Sequence, residues 1–295
     1  MPRPELYDAE GEPSAGAARR SCAAPTASGA RRGPDVARSG AMSTHEMPRH
    51  RILITGANGD IGRVISPHLA EHHELTLGVF DLGRPAAEPF IPPSSARVVR
   101  FDIADAAAMN AACSGIDTVI HLAGQRSPAA SFDQLLGPNI VGVVNVFEAA
   151  VSHGVRRVIF ASSNHATGGY DLNERWPLSA DQPVWPDSYY GVTKAFGEEL
   201  GRYYFDTHGL SVICLRIGWA VPRPTREVGL RMWLSPADTC RLMDCCLATS
   251  VGYGIYYGVS ANTRCKWDMK SAREELGYVP EDDAEVFAAE IEHIP

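Results

Sequence analysis

The chain has 295 residues, of which 45% are hydrophobic and 21% charged, ordinary values for a globular protein of one large domain or two small ones. A formal net charge of -8, with no basic stretch interleaved with aromatics, excludes an electrostatic nucleic-acid footprint, and no uninterrupted apolar run has the length of a membrane span. The seven cysteines are odd in number and form no Cys-x-x-Cys pair, which predicts packed, reduced thiols in a cytoplasmic protein, with neither a disulfide framework nor a metal site.

Residues 1–48 are rich in Ala, Pro, Gly, Ser and Arg and nearly devoid of aromatic and β-branched side chains, so they are expected to form a disordered N-terminal extension. No apolar segment follows the arginine pairs Arg19-Arg20 and Arg31-Arg32, and the acidic residues of the stretch oppose a transit peptide. From Arg51 strand-like and helix-like segments alternate. Strands are predicted at 51–55, 74–80, 96–101, 117–123, 155–162 and 210–217, with helices from Gly59 to about His72, over 138–153 and over 188–208. A helix near 236–249, a strand at 254–259 and helical pieces after Met269 follow. This is the pattern of an α/β protein: a Rossmann-type doubly wound parallel sheet in a domain over 49–295, with a core about 49–217 and a small C-terminal lobe mostly within 218–295.

TGANGDIG (55–62) joins the first strand to the first helix. Its glycines Gly56, Gly59 and Gly62 suit a tight turn and close backbone approach to a pyrophosphate, which the helix N-terminus attracts. Asn58, Asp60 and Ile61 complete that turn. Asp81, at the end of the second strand, is placed to bind ribose hydroxyls and repel a 2′-phosphate, which favours NAD over NADP. Asp102 and Ile103 after the third strand, and Leu122, Ala123 and Gly124 of HLAG after the fourth, are further cofactor candidates. Asp102 or Asp105 is equally suited to capping a helix. His121 is read as a packed strand histidine.

The chemistry falls on DSYYGVTKAFGEEL (187–200), where Tyr190 and Lys194 share one helix face. A phenol with a pKa near 10 is a poor base at neutral pH until a neighbouring cation stabilises its phenolate. A hydroxyl at the end of the fifth strand is then needed to steady the reacting oxygen; Ser163 of FASSNH fills that role, with Asn164 and His165 beside it.

TGANGDIG, HLAG, SSNH, YGVTK and RIG, in this order, resemble the extended short-chain dehydrogenase/reductase superfamily over essentially 51–295. SSNH with YGVTK, MWLSPAD (232–238) and YGVSANTRCKWD (257–268) are most similar to uronate dehydrogenases and related NAD-dependent sugar 1-dehydrogenases. The resemblance implies NAD-dependent oxidation of the anomeric hydroxyl of a cyclic hexuronate to its aldarolactone, and a homo-oligomer, most simply a dimer, through the helices at 138–153 and 188–208. It implies Tyr190 as base, Lys194 beside the nicotinamide ribose, Ser163 on the reacting oxygen, and Ser127, Asn164 and His165 on the sugar. Asn139 takes a structural or water-holding role. Two positions depart from the pattern. Bulky Trp219 follows RIG where the family has a small hydroxyl residue, and Val228 stands where an arginine binds the uronate carboxylate. Arg226 and Arg231 lie two before and three after Val228, and Arg226 is taken as the substrate-binding candidate. Dehydrogenation of a neutral aldose or sugar phosphate, a nucleotide-sugar epimerase or dehydratase, and a non-catalytic NAD-binding protein are the alternatives.

Overall fold

The Val/Ile-rich runs of the sequence become neighbouring strands of one parallel sheet in the computed structural model, which describes residues 49–80 and 89–291. In chain order these are β1 (Arg51–Thr55), helix α1 (Asp60–Ala70), β2 (Glu74–Val79), β3 (Arg97–Arg100), α2 (Ala106–Ala112) and β4 (Thr118–His121). There follow α3 (Phe132–Leu135), α4 (Gly142–Ser152), β5 (Arg157–Ser163), α5 (Gly168–Leu172) and α6 (Tyr189–His208). The chain continues through β6 (Ser211–Ile217), β7 (Trp219–Ala220), α7 (Gly229–Met232), β8 (Trp233–Leu234), α8 (Pro236–Ala248) and β9 (Tyr253–Gly258). The main sheet runs β3-β2-β1-β4-β5-β6-β9, and the order reverses between β1 and β4, where doubly wound sheets hold their ligands at the carboxyl ends of the strands.

Alternation along β1 explains the two-sided core. Ile52 and Ile54 face one side, where Ile65, Leu69, Leu242 and Met243 of α1 and α8 cover them, while Leu53 faces Met109, Val143, Val146 and Phe147 of α2 and α4. Side chains set the helix boundaries. Asp105 caps α2, Ser188 caps α6, and Ser235 caps α8 just before Pro236. Gly209, at φ 69°, ends α6 in the left-handed conformation.

Three differences from the sequence expectation have physical causes. The helix expected at 138–153 is α3, a wide π turn over Leu136–Val141, and α4. Pro138 sits in the widened turn, where it has no N–H to contribute. Next, β9 pairs in register with β6 as the seventh strand of the main sheet, and α8 packs on α1, so a boundary at 217 cuts through the sheet. Outside the main sheet lie chiefly the β7–β8 pair with α7 and the chain after β9, whose Ala272, Leu276 and Tyr278 pack back onto the core. Finally, the 21 residues Phe132–Ser152 are long and apolar enough, by length and composition, to cross a membrane. Here Val143, Val146, Phe147, Ala149 and Ala150 of that stretch are buried in the core.

Candidate active site

The cofactor cradle begins where β1 ends. Gly56 has φ 73°, and a Cβ there would lie 2.8 Å from Ala123 N, so the turns after β1 and β4 touch only because this side chain is absent. A Cβ on Gly62 would lie 2.5 Å from Ala57 O, which lets α1 press onto the turn. Gly59 caps α1 without a side-chain bond, in an exposed position, leaving the N-terminus of this 11-residue helix open to a diphosphate. Asn58 Nδ2 donates to Phe80 O at 3.0 Å and ties the turn to the end of β2. Asp60 pairs with Arg126 of the turn after β4, and Ile61 packs against the core. Asp81, the residue expected to select NAD, lies outside the described residues. Asp102 accepts from Ala104 N at 2.9 Å, Ile103 is buried, and Asn145 Nδ2 holds their turn through Ile103 O at 2.9 Å. The capping role falls to Asp105. These residues fit a dinucleotide.

Leu122 N donates to Thr55 O, and Gly124 takes φ 157° against Asn139. Asn139, in the π turn, accepts from Gln125 N at 2.7 Å and donates to Gln125 O and Thr193 Oγ1, clamping the HLAG turn to α6. His121 is packed, as expected. Its Nδ1 meets Thr55 Oγ1 at 2.7 Å, and burial pushes its pKa down to about 3, so it is a neutral strand residue.

The chemistry-bearing groups converge where β5 ends and α6 begins. Ser163 is the last residue of β5, and its hydroxyl lies near enough to the Tyr190 phenol to favour the phenolate. Lys194, one turn further along α6, donates to Ala161 O at 2.7 Å, and its Nζ stands 5.6 Å from the Tyr190 ring centre. All three are buried, at 5%, 7% and 7% exposure. Burial pushes the Tyr190 phenol up, against the Ser163 hydroxyl and the Arg126 charge, which pull it down. Burial also pulls the Lys194 ammonium down to about 8, opposed by Glu198. The depression of the tyrosine expected from sequence is thus outweighed by desolvation in the protein alone.

Two side-chain pairs support this triad, and neither was legible in the sequence as a pair. Glu198 and Arg216 form a buried two-point ion pair, and Ser162 Oγ donates to Glu198 Oε1 at 2.5 Å. His165 Nδ1 meets Asp187 Oδ2 at 2.7 Å, and the His165 ring stands edge-on to Tyr190 at 5.6 Å. A lone arginine in an apolar strand and a glutamate four residues beyond Lys194 were the available signals for the first pair.

Asn164 is buried beside Ser163, its Oδ1 accepting from Ser163 Oγ at 3.4 Å. Ser127 lies in the HLAG loop, where its Oγ accepts from Ala129 N at 3.3 Å, and that loop runs on to Ala130, packed with Tyr190. Arg226 departs from expectation: it is exposed, and it is its carbonyl that is engaged, accepting from Gly229 N at the start of α7. Arg223 is spent on Glu290 at the surface. Arg231 is half-buried, its guanidinium 5.4 Å from the Trp176 ring centre and its buried Nε without a hydrogen-bond partner. Trp219 lies two residues beyond Ile217, the register partner of Ser163, and a Cβ on Gly229 would fall 2.9 Å from its ring.

Comparison with known proteins agrees with this geometry. Residues 52–221 match the NAD dependent epimerase/dehydratase family. The chain is 42% identical over 250 residues to the uronate dehydrogenase of Pseudomonas putida, covering 84% of this chain and 90% of that protein. It is 39% identical to the NAD-dependent glucose-6-phosphate dehydrogenase of Haloferax volcanii, covering 81% of this chain and 96% of that one. A crystal structure of a mutant uronate dehydrogenase from Agrobacterium tumefaciens complexed with NAD superimposes with a TM-score of 0.74 at 39% identity, covering 84% and 91% of the two chains. Sequence, sheet order and glycine turn converge: the chain belongs to the NAD dependent epimerase/dehydratase family.

Proposed function

We propose that this protein oxidises the anomeric hydroxyl of a cyclic hexuronate to its aldarolactone. The observation that carries the reading is the convergence of Tyr190, Ser163 and Lys194 at one point beside an open glycine turn. The uronate dehydrogenases among its relatives support the substrate class.

In this mechanism the turn of Gly56, Gly59 and Gly62 and the N-terminus of α1 would hold the diphosphate of NAD, and Lys194 would hold its nicotinamide ribose. NAD bound there would supply the hydride acceptor. Tyr190 Oη takes the proton of the anomeric hydroxyl. Ser163 Oγ donates to the same oxygen as its charge develops. Ser127, Asn164 and His165 hold the remaining sugar hydroxyls. The uronate carboxylate is assigned to Arg231, a half-buried guanidinium with an unpartnered Nε in the segment between β7 and β8. Arg226 stays in solvent, outside that contact.

A second reading is oxidation of a sugar phosphate. Trp219 and Val228 favour it, since both depart from the uronate pattern, and an arginine whose Nε has no hydrogen-bond partner among the described residues suits a phosphate equally well. We assign the enzyme to the cytoplasm, in keeping with six free cysteines among the described residues. We also assign it a homodimeric state through α3, α4 and α6. Phe132, Leu136, Val141, Tyr189, Val192 and Tyr203 of these helices and the turn between them are 41–62% exposed, an apolar face suited to a second copy. Sedimentation of the full chain tests the dimer. NADH formation from glucuronate, galacturonate, glucose and glucose 6-phosphate tests the substrate; activity confined to the last two would overturn the uronate reading.

A further inference from the structure

Oxidation of a hydroxyl releases one proton per turnover, and Tyr190 has to shed it before acting again. Its surroundings do not make that easy. Tyr190, Ser163 and Lys194 are each at least nine-tenths buried, and the Lys194 ammonium is turned toward Ala161 O. His165 differs from all three. Its side chain is 30% exposed, and its ring touches Tyr190 edge-on.

Asp187 orients that ring. Its Oδ2 lies 2.7 Å from His165 Nδ1, and Oδ1 accepts from Ser188 Oγ at 2.8 Å. A carboxylate at Nδ1 keeps the proton there, which leaves Nε2 as the acceptor of the neutral imidazole. Burial pushes the Asp187 carboxyl up, but the bonds from His165 and Ser188 outweigh it and hold the group below its ordinary value, so the brace stays charged. Two glycines make room for the arrangement. A Cβ on Gly168 would lie 2.0 Å from Asp187 Oδ2, and one on Gly191 would lie 2.2 Å from His165 O. Gly168 thus leaves space for the Asp187 carboxylate, and Gly191 for the His165 backbone.

We infer that His165, held in one tautomer by Asp187, is the proton outlet of the active site. The inference rests on the reading of Tyr190 as base. In balance, hydride goes from the anomeric carbon to NAD, and the hydroxyl proton goes to Tyr190 Oη. After product leaves, that proton passes through a bridging water to His165 Nε2 and on to bulk solvent, restoring both groups. Asp187 is a positioning residue, since it acts only through His165.

The test uses the full-length protein with NAD and a hexuronate that the wild type oxidises. Replacing His165 by Ala is expected to lower kcat about 100-fold, and added imidazole should restore it saturably. H165Q, which fills the same space, should show the same loss with a wild-type near-ultraviolet circular dichroism spectrum. D187N should lower kcat less and respond to imidazole as well. A raised KM with kcat retained, or a kcat loss that imidazole does not repair, would mean that His165 only holds substrate and would overturn the outlet. Y190F separates the two claims: turnover in that variant would sink the base itself, whatever His165 does.

Discussion

The Glu198 carboxylate and the Arg216 guanidinium meet at two points, each 2.9 Å, with side-chain exposures of 0% and 1%. The pair links α6, which carries Tyr190 and Lys194, to β6. Through Ser162 it also holds the end of β5 that carries Ser163. A buried ion pair is weak evidence of net stabilisation, yet removing one partner strands the other in a dry interior.

Glu198→Ala should therefore destabilise the fold by about 3–5 kcal/mol, measured by urea unfolding. The double replacement Glu198→Leu with Arg216→Met should recover most of that loss, because no charge is left uncompensated. A single variant costing less than about 1 kcal/mol would contradict the burial seen here.

Lys194→Met should lower kcat/KM by about 100-fold or more, since the cation assisting the Tyr190 phenolate is gone. The pH dependence follows from burial, which brings the Lys194 ammonium down to about 8. Its charge is lost as pH rises through that value, so the wild-type kcat/KM profile should bend downward on its alkaline side. That bend should be absent from the methionine variant. A bend that persists without the lysine would assign it to another group.

His121 gives a stability prediction whose sign is set by desolvation. Its folded-state pKa, about 3, lies below the ordinary value of 6.5, so the unfolded chain binds the proton first as pH falls. The contribution of a neutral His121 is complete above pH 6.5 and declines progressively on acidification toward pH 3. His121→Gln should flatten this part of the dependence in thermal melts at pH 5 to 7. An unchanged slope would mean that other groups carry the acid sensitivity.

Arg231→Ala should raise KM for a hexuronate about 10- to 100-fold, the value of a charge-assisted hydrogen bond, with little effect on a neutral aldose. Steady-state kinetics on both substrates checks it. Equal losses on both would place Arg231 in the packing around Trp176 rather than on substrate. The same assay on Arg226→Ala should show no effect.

The strands were legible because parallel, doubly covered strands are apolar along their whole length, and β1, β5 and β6 fall within two residues of their expected bounds. The glycine turn, Ser163, Tyr190 and Lys194 were legible because each answers a local demand of turn geometry or helix spacing. What was hidden depends on distant partners. Membership of β9 in the main sheet is decided by its register with β6, and the interruption at 136–141 by the clamp from Asn139 to Gln125 and Thr193. Asp187 carries no distinguishing signal in the sequence until the fold brings His165 against it. Arg226 and Arg231 are alike in sequence, and only burial distinguishes them.

The most direct measurement is the rate of NADH formation from hexuronates, neutral aldoses and sugar phosphates by the wild-type protein, with the Tyr190→Phe variant alongside. The mechanism argued from Tyr190, Ser163 and Lys194 predicts the highest kcat/KM on a hexuronate, an aldarolactone as product, and no detectable turnover in the variant. Turnover by Tyr190→Phe at the wild-type rate, or NADH formed only from neutral or phosphorylated sugars, would contradict it.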